Sequence, residues 1–316
     1  MSRRGSRLRD FTDVHGILLL NKPSGLSSNQ ALQKARRILK ANKAGHTGNL
    51  DPMATGLLPC CFGDATKVAD LMINADKAYQ AEALLGSQTD TGDATGKVIG
   101  QAVVPNITKT QAQVACDLLT GEIQQIPPMY SALNHQGQRL YQLARQGIEV
   151  DRKARTLQIH RFQCLHVNDQ TDPVKVLFDV HCSKGTYIRT LIEDWAQKLN
   201  TLAHMSALHR TQSGIFKAAD MVTLEQLEAQ DNPQQLLLSM DSALQEYPQI
   251  DLLETATRDL IHGKQVATDG NDGLYRLYDQ NGLFLGMGQV TEKYLKVHKL
   301  FMKSYQQNLQ YQIPKS

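Results

Sequence analysis

The stretch from Gly45 to Lys67, GHTGNLDPMATGLLPCCFGDATK, constrains this chain more than any other. Glycine opens backbone angles closed to other residues, and proline fixes φ and removes a donor. A run this rich in both encodes a shaped loop and not a regular element. One carboxylate, Asp51, sits inside it, and the next acid is Asp64. Local composition leaves two readings open: Asp51-Pro52 as a turn initiator with glycines at turn positions, or an acid held in a shaped loop for chemistry.

Regular elements are expected on both sides of this loop. HGILLL, from His15 to Leu20, predicts a short buried strand, ended by the turn chemistry of Asn21 to Gly25. Ser27 or Ser28 can cap a following helix whose apolar positions Ala31, Leu32, Ala35, Ile38 and Leu39 share a face. Leu57 to Phe62 predicts a buried strand, and Asp64 is expected to cap a helix with the inward stripe Ala65, Val68, Ala69 and Met72. Residues 78 to 84 alternate as a strand with Tyr79, Ala81 and Ala83 on one face; Tyr79 there is equally an ordinary sheet tyrosine.

Asp90 to Val98 (DTGDATGKV) lacks both the calcium-loop spacing and a full P-loop, and is read as a hairpin region only. Residues 127 to 152 interleave Tyr130, His135, Arg139, Tyr141 and Arg145, a mixture suited to stacking on bases and pairing with phosphates. Leu140, Leu143 and Ala144 also give it a short amphipathic helix. Val174 to Cys182 alternates as a half-buried strand leading into a helix with core positions Ile188, Leu191, Ile192, Trp195 and Leu199. Tyr187 and Arg189 at that junction share a side if the backbone is extended and diverge if it is helical. A further strand is expected near Ala203 to Arg210, where His204 and His209 are too isolated to be metal ligands. Short helices and a linker are expected from Asp220 to Tyr247. After Pro248 the runs Leu274 to Asp279 and Leu283 to Met287, separated by Asn281-Gly282, predict a hairpin in a small β-rich domain reaching the end of the chain.

Composition bounds the function class. The 316 residues suit about two domains. No run approaches the roughly 18 apolar residues of a membrane span, and no apolar segment follows the N-terminal arginines, so a cytoplasmic protein without anchor or signal peptide is expected. Five cysteines without a C-x-x-C spacing argue against a disulfide scaffold and a zinc site. Net charge is +3, but residues 1 to 45 carry +8 and the rest −5. A basic arm feeding a basic helix is what phosphate binding needs, and equally what a solvated face shows.

Three motifs in order, Lys22-Pro23-x-Gly25-x-Ser27-Ser28, GHTGNLDPMATGLLP and CSKGTYIRTL from Cys182 to Leu191, resemble the TruB family of tRNA pseudouridine synthases, which isomerise uridine 55 in the T loop. The resemblance extends over about residues 12 to 215 and includes IPPMYSALNHQGQRLYQLARQGIEV, whose family counterpart is an RNA-gripping insertion. It implies that Asp51 is the catalytic aspartate, Arg189 its ion-pair partner and Tyr79 the aromatic stacked on the target base. It also implies that Tyr187 and Leu208 line the pocket, and that His46 helps hold the RNA with its base extruded. Asn49 stands where many members have alanine.

The resemblance further implies an α+β fold: a mostly antiparallel mixed sheet flanked by helices, with a small β-rich PUA-like domain after it. The expected division is a basic arm at 1–11, a catalytic domain at 12–247 with the insertion at about 127–152, and an RNA-binding domain at 248–316. The expected partner is the T stem-loop of tRNA, bound by a monomer with no obligatory protein partner and possible assistance to tRNA folding. The isomerisation itself calls for no cofactor, redox group or nucleotide energy. It requires a carboxylate beside the sugar, kept ionised by a neighbouring arginine. A hydrolytic glycosidase would want a second carboxylate paired with Asp51, and no local motif supplies one.

Overall fold

The computed structural model describes residues 11–312; the basic arm expected at 1–11 lies almost wholly outside them. A nine-stranded sheet forms the larger part. Its main path runs Gly16–Lys22, Thr55–Phe62, Ala203–Ser213, Lys77–Leu85, Lys175–Cys182, Arg155–Asn168, Gly121–Gln125, with Ala44–His46 and Phe216–Lys217 as short additions. Neighbours are antiparallel throughout, except that Thr55–Phe62 and Ala203–Ser213 run parallel. That pairing has only two register pairs, His209 with Thr55 and Arg210 with Gly56.

Three amphipathic helices cover one face. Ser28–Ile38 starts on a capping box between Ser27 and Gln30, which satisfies two of the amide donors a helix start leaves over. It buries Ala31, Leu32 and Ala35. Lys109–Asp117 contributes Ala112, Ala115 and Cys116, and Ile188–Lys198 contributes Leu191, Ile192, Trp195 and Ala196. Trp195 is fully enclosed: its ring stands edge-on to Phe178 at 4.8 Å, and its indole N–H donates to the Ala112 carbonyl at 3.0 Å. This meets the rule that a buried indole finds a partner.

The edge strand Gly16–Lys22 is buried on both sides, which explains its unbroken apolar run. Leu18 and Leu20 face the helices. Ile17 and Leu19 pack with Leu57, Cys61, Ala65, Val68 and Met72, and then with Met287 and Phe301 of the C-terminal part. Here the Asp64 expectation needs correction. Gly63–Lys67 is a single 3-10 turn without a side-chain cap, and Ala69–Ile73 follows as a separate short helix. Asp64 is buried. It pairs with Lys67 at 2.8 Å and accepts the Ser304 amide at 3.1 Å, in the first turn of the terminal helix Met302–Gln312. It therefore caps a helix about 240 residues away.

The C-terminal part is a five-stranded sheet, ordered Gln249–Asp251, Gly273–Tyr278, Phe284–Thr291, Tyr294–Leu300, Val266–Ala267. The Asn281-Gly282 hairpin is present, its turn held by Asp279, which accepts the amides of Asn281 and Leu283 at 2.9 Å each. The β-rich expectation missed the closing helix Met302–Gln312. The two parts interlock: Lys67 donates to the Leu300 carbonyl at 2.9 Å and Lys299 donates back to the Lys67 carbonyl at 2.7 Å. Within the insertion, Asn134–His135 and Gln138–Arg139 form a small hairpin before the helix Leu140–Arg145. No helix among the described residues is long and apolar enough to cross a membrane.

Candidate active site

The Asp51 loop lies at the parallel seam of the sheet and is fixed from several sides. Gly48 takes φ +139°, a region closed to side-chain-bearing residues without strain. The Ser28 hydroxyl receives the Leu50 amide at 2.8 Å, while Asp51 and Ala54 close a turn through a 3.0 Å backbone bond. The Lys22-to-Ser28 motif is the cradle beneath. The Gly25 amide donates to the Pro52 carbonyl at 2.8 Å, and the Ser24 hydroxyl to the Met53 carbonyl at 3.1 Å. Lys22 is wholly buried and gives its ammonium to the carbonyls of Leu26 (2.6 Å), Pro23 (2.9 Å) and Pro52 (3.3 Å). Burial pushes its pKa down to about 8, against the pull of Asp51.

Arg189 meets Asp51 from the first turn of the helix Ile188–Lys198. Its Nε lies 3.0 Å from Asp51 Oδ2, and Nη2 lies 3.5 Å from Oδ1. The guanidinium is buried and its best-aligned bonds go elsewhere, to the carbonyls of Thr91 at 2.7 Å and Tyr130 at 2.8 Å. A cation at a helix N-terminus opposes the helix dipole, and one carboxylate plus two carbonyls offset that repulsion. Asp93, buried in its own turn, accepts from Thr91 Oγ1 at 2.8 Å and from the Thr95 amide at 2.9 Å.

The Asp51 carboxyl does not end up below the ordinary aspartate range. Burial pushes its pKa up, Arg189 pulls it down, the Asp93 charge adds to the rise, and Lys22 opposes it; the net direction is upward. The sequence reading counted only the arginine. It left out desolvation, the larger effect here.

Of the remaining residues, Tyr79 and Tyr187 come within reach of the Asp51 charge. Tyr79 is buried on the central strand Lys77–Leu85, flanked in register by Val180 and Arg210. Leu208 pairs with Ala81 on the same face. Tyr187 resolves the ambiguity at the helix junction: it is the extended residue that precedes the helix, and Arg189 is the second residue within it. The phenol feels the charges of both Arg189 and Asp51, and the backbone is pinned by Gln125. His46 sits half-buried on Ala44–His46. Its Nδ1 has no hydrogen-bond partner among the described residues, and burial, reinforced by the charge of Arg210, pushes the pKa of its imidazole down.

Sequence reasoning missed several contributors: Lys22 as a loop support, Thr91 and Tyr130 as carbonyl anchors, Asp93 beside Asp51, and Arg210. Lys22 stood in one of the three motifs without its role being legible, and Arg210 left a signal of its own, a charge in phase with buried Leu208 on an alternating strand. Among the described residues no group of three metal-binding side chains exists. The open groove of about 620 Å³ between Lys109–Asp117 and Arg155–Asn168 is lined by residues such as Lys109, Gln113 and Arg161 and lies away from these groups.

Comparison with known proteins fits this arrangement. Residues 36–188 match the TruB family pseudouridylate synthase N-terminal domain, residues 189–245 the tRNA pseudouridylate synthase B C-terminal domain, and residues 248–301 the pseudouridine synthase II TruB C-terminal domain. The chain belongs to the TruB family of pseudouridine synthases. Among curated TruB relatives it is 45% identical over 292 residues to tRNA pseudouridine synthase B of Neisseria meningitidis serogroup A, covering 91% of this chain and 94% of that protein. To the Yersinia pestis (strain Pestoides F) protein of the same name it is 44% identical over 303 residues, covering 91% and 92%. The fold is that of the Cbf5 subunit type: a crystal structure of a Cbf5–Nop10–Gar1 complex aligns with TM-score 0.67 at 25% identity, over 91% of this chain and 85% of that one.

Proposed function

We propose that this TruB-family chain is a tRNA pseudouridine synthase acting on uridine 55 of the T loop, with Asp51 as its catalytic carboxylate. The observation that carries the reading is the Asp51–Arg189 pair, 3.0 Å apart at a fixed loop, with the phenols of Tyr79 and Tyr187 both within reach of the Asp51 charge. In this reading residues 12–247 do the chemistry, the insertion at 127–152 grips the T arm, and 248–316 bind RNA. The same reading takes the chain as a monomer with no obligatory protein partner. Assistance to tRNA folding would use the same grip.

In this reading the target uridine leaves its stack, at a cost of a few kcal/mol. Stacking on Tyr79 returns about 1 to 3 kcal/mol of it. His46, half-buried beside the loop, fills the space left in the RNA. Asp51 then acts at the sugar as nucleophile or base while the bond from N1 to C1′ breaks. The base turns and C5 bonds to C1′; C5 then gives up its proton and N1 takes one, so atoms and electrons balance without an added reactant. Arg189 holds the carboxylate's aim, and the walls of the pocket keep the cleaved base from diffusing away.

Tritium release from C5-tritiated uridine in an unmodified T-arm stem-loop tests the reading. Release by the wild type and none by Asp51→Asn, with no free uracil, is the expected result. Tight binding without release from the wild type would overturn it in favour of an RNA-folding chaperone. Free uracil would instead mean a glycosidase.

A further inference from the structure

Arg210 is among the largest fully buried side chains of the molecule, and no carboxylate among the described residues pairs with it. Its partners are backbone carbonyls. Nε donates to Leu57 O at 2.6 Å, while Nη1 and Nη2 approach Asn49 O and Gly48 O at 3.5 Å each. One guanidinium thus bridges the start of the Asp51 loop and the strand that follows it. A buried charge without a counter-charge costs more than an apolar side chain of the same volume, so the gain must lie in what its head group holds.

The backbone of Arg210 is equally constrained. It lies directly opposite Tyr79 on one side and opposite Gly56 on the other. A side chain at Gly56 would stand 2.4 Å from the Arg210 carbonyl oxygen, so only glycine admits this approach. The residue therefore ties together four pieces: the loop of Asp51, the strand Thr55–Phe62, the strand of Tyr79 and its own strand. Its charge also reaches the phenol of Tyr79, where it favours ionisation against burial, and the imidazole of His46.

Resting on the function proposed above, we propose that Arg210 is a positioning residue that sets the placement of Asp51 relative to the Tyr79 ring and hydroxyl, acting through the carbonyls of Gly48, Asn49 and Leu57. A planar fork can serve these carbonyls together; a lysine ammonium on a flexible stem cannot. The contrasting role, a brace that merely holds the sheet, would cost stability without favouring one step of the reaction.

The test is a double-mutant cycle of Arg210→Lys and Tyr79→Phe, read by single-turnover tritium release, RNA affinity and thermal unfolding. The expected result is that Arg210→Lys folds and binds the T-arm stem-loop within threefold of wild type but turns over at least tenfold more slowly. In the Tyr79→Phe background its penalty shrinks at least threefold. A wild-type rate for Arg210→Lys, or an equal penalty in both backgrounds, overturns the proposal. Should either substitution leave too little protein or activity to measure, the Arg210 Nε–H resonance of the wild type, assigned through the backbone, decides the matter. It is expected to move in Tyr79→Phe, and an unmoved signal overturns the proposal. If the wild type itself releases no tritium the proposed function fails, a result distinct from an additive cycle in an active enzyme.

Discussion

Arg189 lies close to Asp51 but does not spend its best hydrogen bonds on it. The 3.0 Å approach of Nε to Oδ2 is an ion pair, while the well-directed donors hold Thr91 O and Tyr130 O at 2.7 and 2.8 Å. The guanidinium is anchored by backbone from two other segments, and the carboxylate is aimed by a group that is itself immobile.

This arrangement makes the charge of Arg189 insufficient by itself. Arg189→Lys keeps a cation but not three simultaneous contacts, so the single-turnover rate is expected to fall about 10²-fold, as for a misplaced reacting group. Filter binding of the T-arm stem-loop should remain within about threefold in the same preparation. A rate within a few-fold of wild type would show that charge alone suffices.

The raised pKa of Asp51 has a defined sign in both activity and stability. The carboxylate form is lost as pH falls through the raised value, so the acid limb of the rate profile should lie above the ordinary aspartate value of 3.8. For stability the direction reverses: the protonated form is favoured by folding, and its contribution is lost as pH rises through the raised pKa. At neutral pH the ionised group therefore weakens the fold. Asp51→Asn should abolish turnover while leaving Tm equal to or above that of the wild type; a lower Tm would contradict the direction of the shift.

Tyr79→Phe keeps the ring and removes a hydroxyl. Binding of the stem-loop should be unchanged and turnover slower, because stacking survives while a group suited to the late proton transfer is gone. Equal single-turnover rates would remove the hydroxyl from the reaction.

Asp64→Ala probes the junction with the C-terminal part. It leaves Lys67 unpaired and the Ser304 amide without its acceptor, which should lower stability by about 1 to 3 kcal/mol. The folded carboxyl is held below its usual range by Lys67 and Ser304, opposed by burial, so this support is present above the unfolded pKa and fades as pH falls through the folded one. Denaturant melts of wild type and variant should therefore converge in strong acid.

The parts of the fold legible in the sequence were those written in short-range periodicity. The cap at Ser27 or Ser28, the alternation before Cys182 and the stripe through Trp195 each declare themselves within a dozen residues, and the structure chooses Ser27, boxed with Gln30. What stayed hidden depends on partners far along the chain or without a side-chain identity. Asp64 looked like the start of its own helix because Ser304 is 240 residues away. The anchors of Arg189 are carbonyls, which any residue at 91 or 130 would supply. The upward shift of Asp51 was hidden for a related reason, since desolvation depends on the assembled surroundings of the loop.

The two-rung parallel seam also dictates an order of events during synthesis. Asp51 leaves the ribosome early, yet Arg210, which holds Leu57 O from 153 positions later, and Arg189, 138 positions after Asp51, both come from the second half of the chain. The strand Ala203–Ser213 must insert between two strands made long before it, a non-local closure of the kind that slows folding. A nascent chain halted before residue 203 would carry every residue of the loop motif and have no assembled site, so the enzyme stays inert until most of its length has been translated.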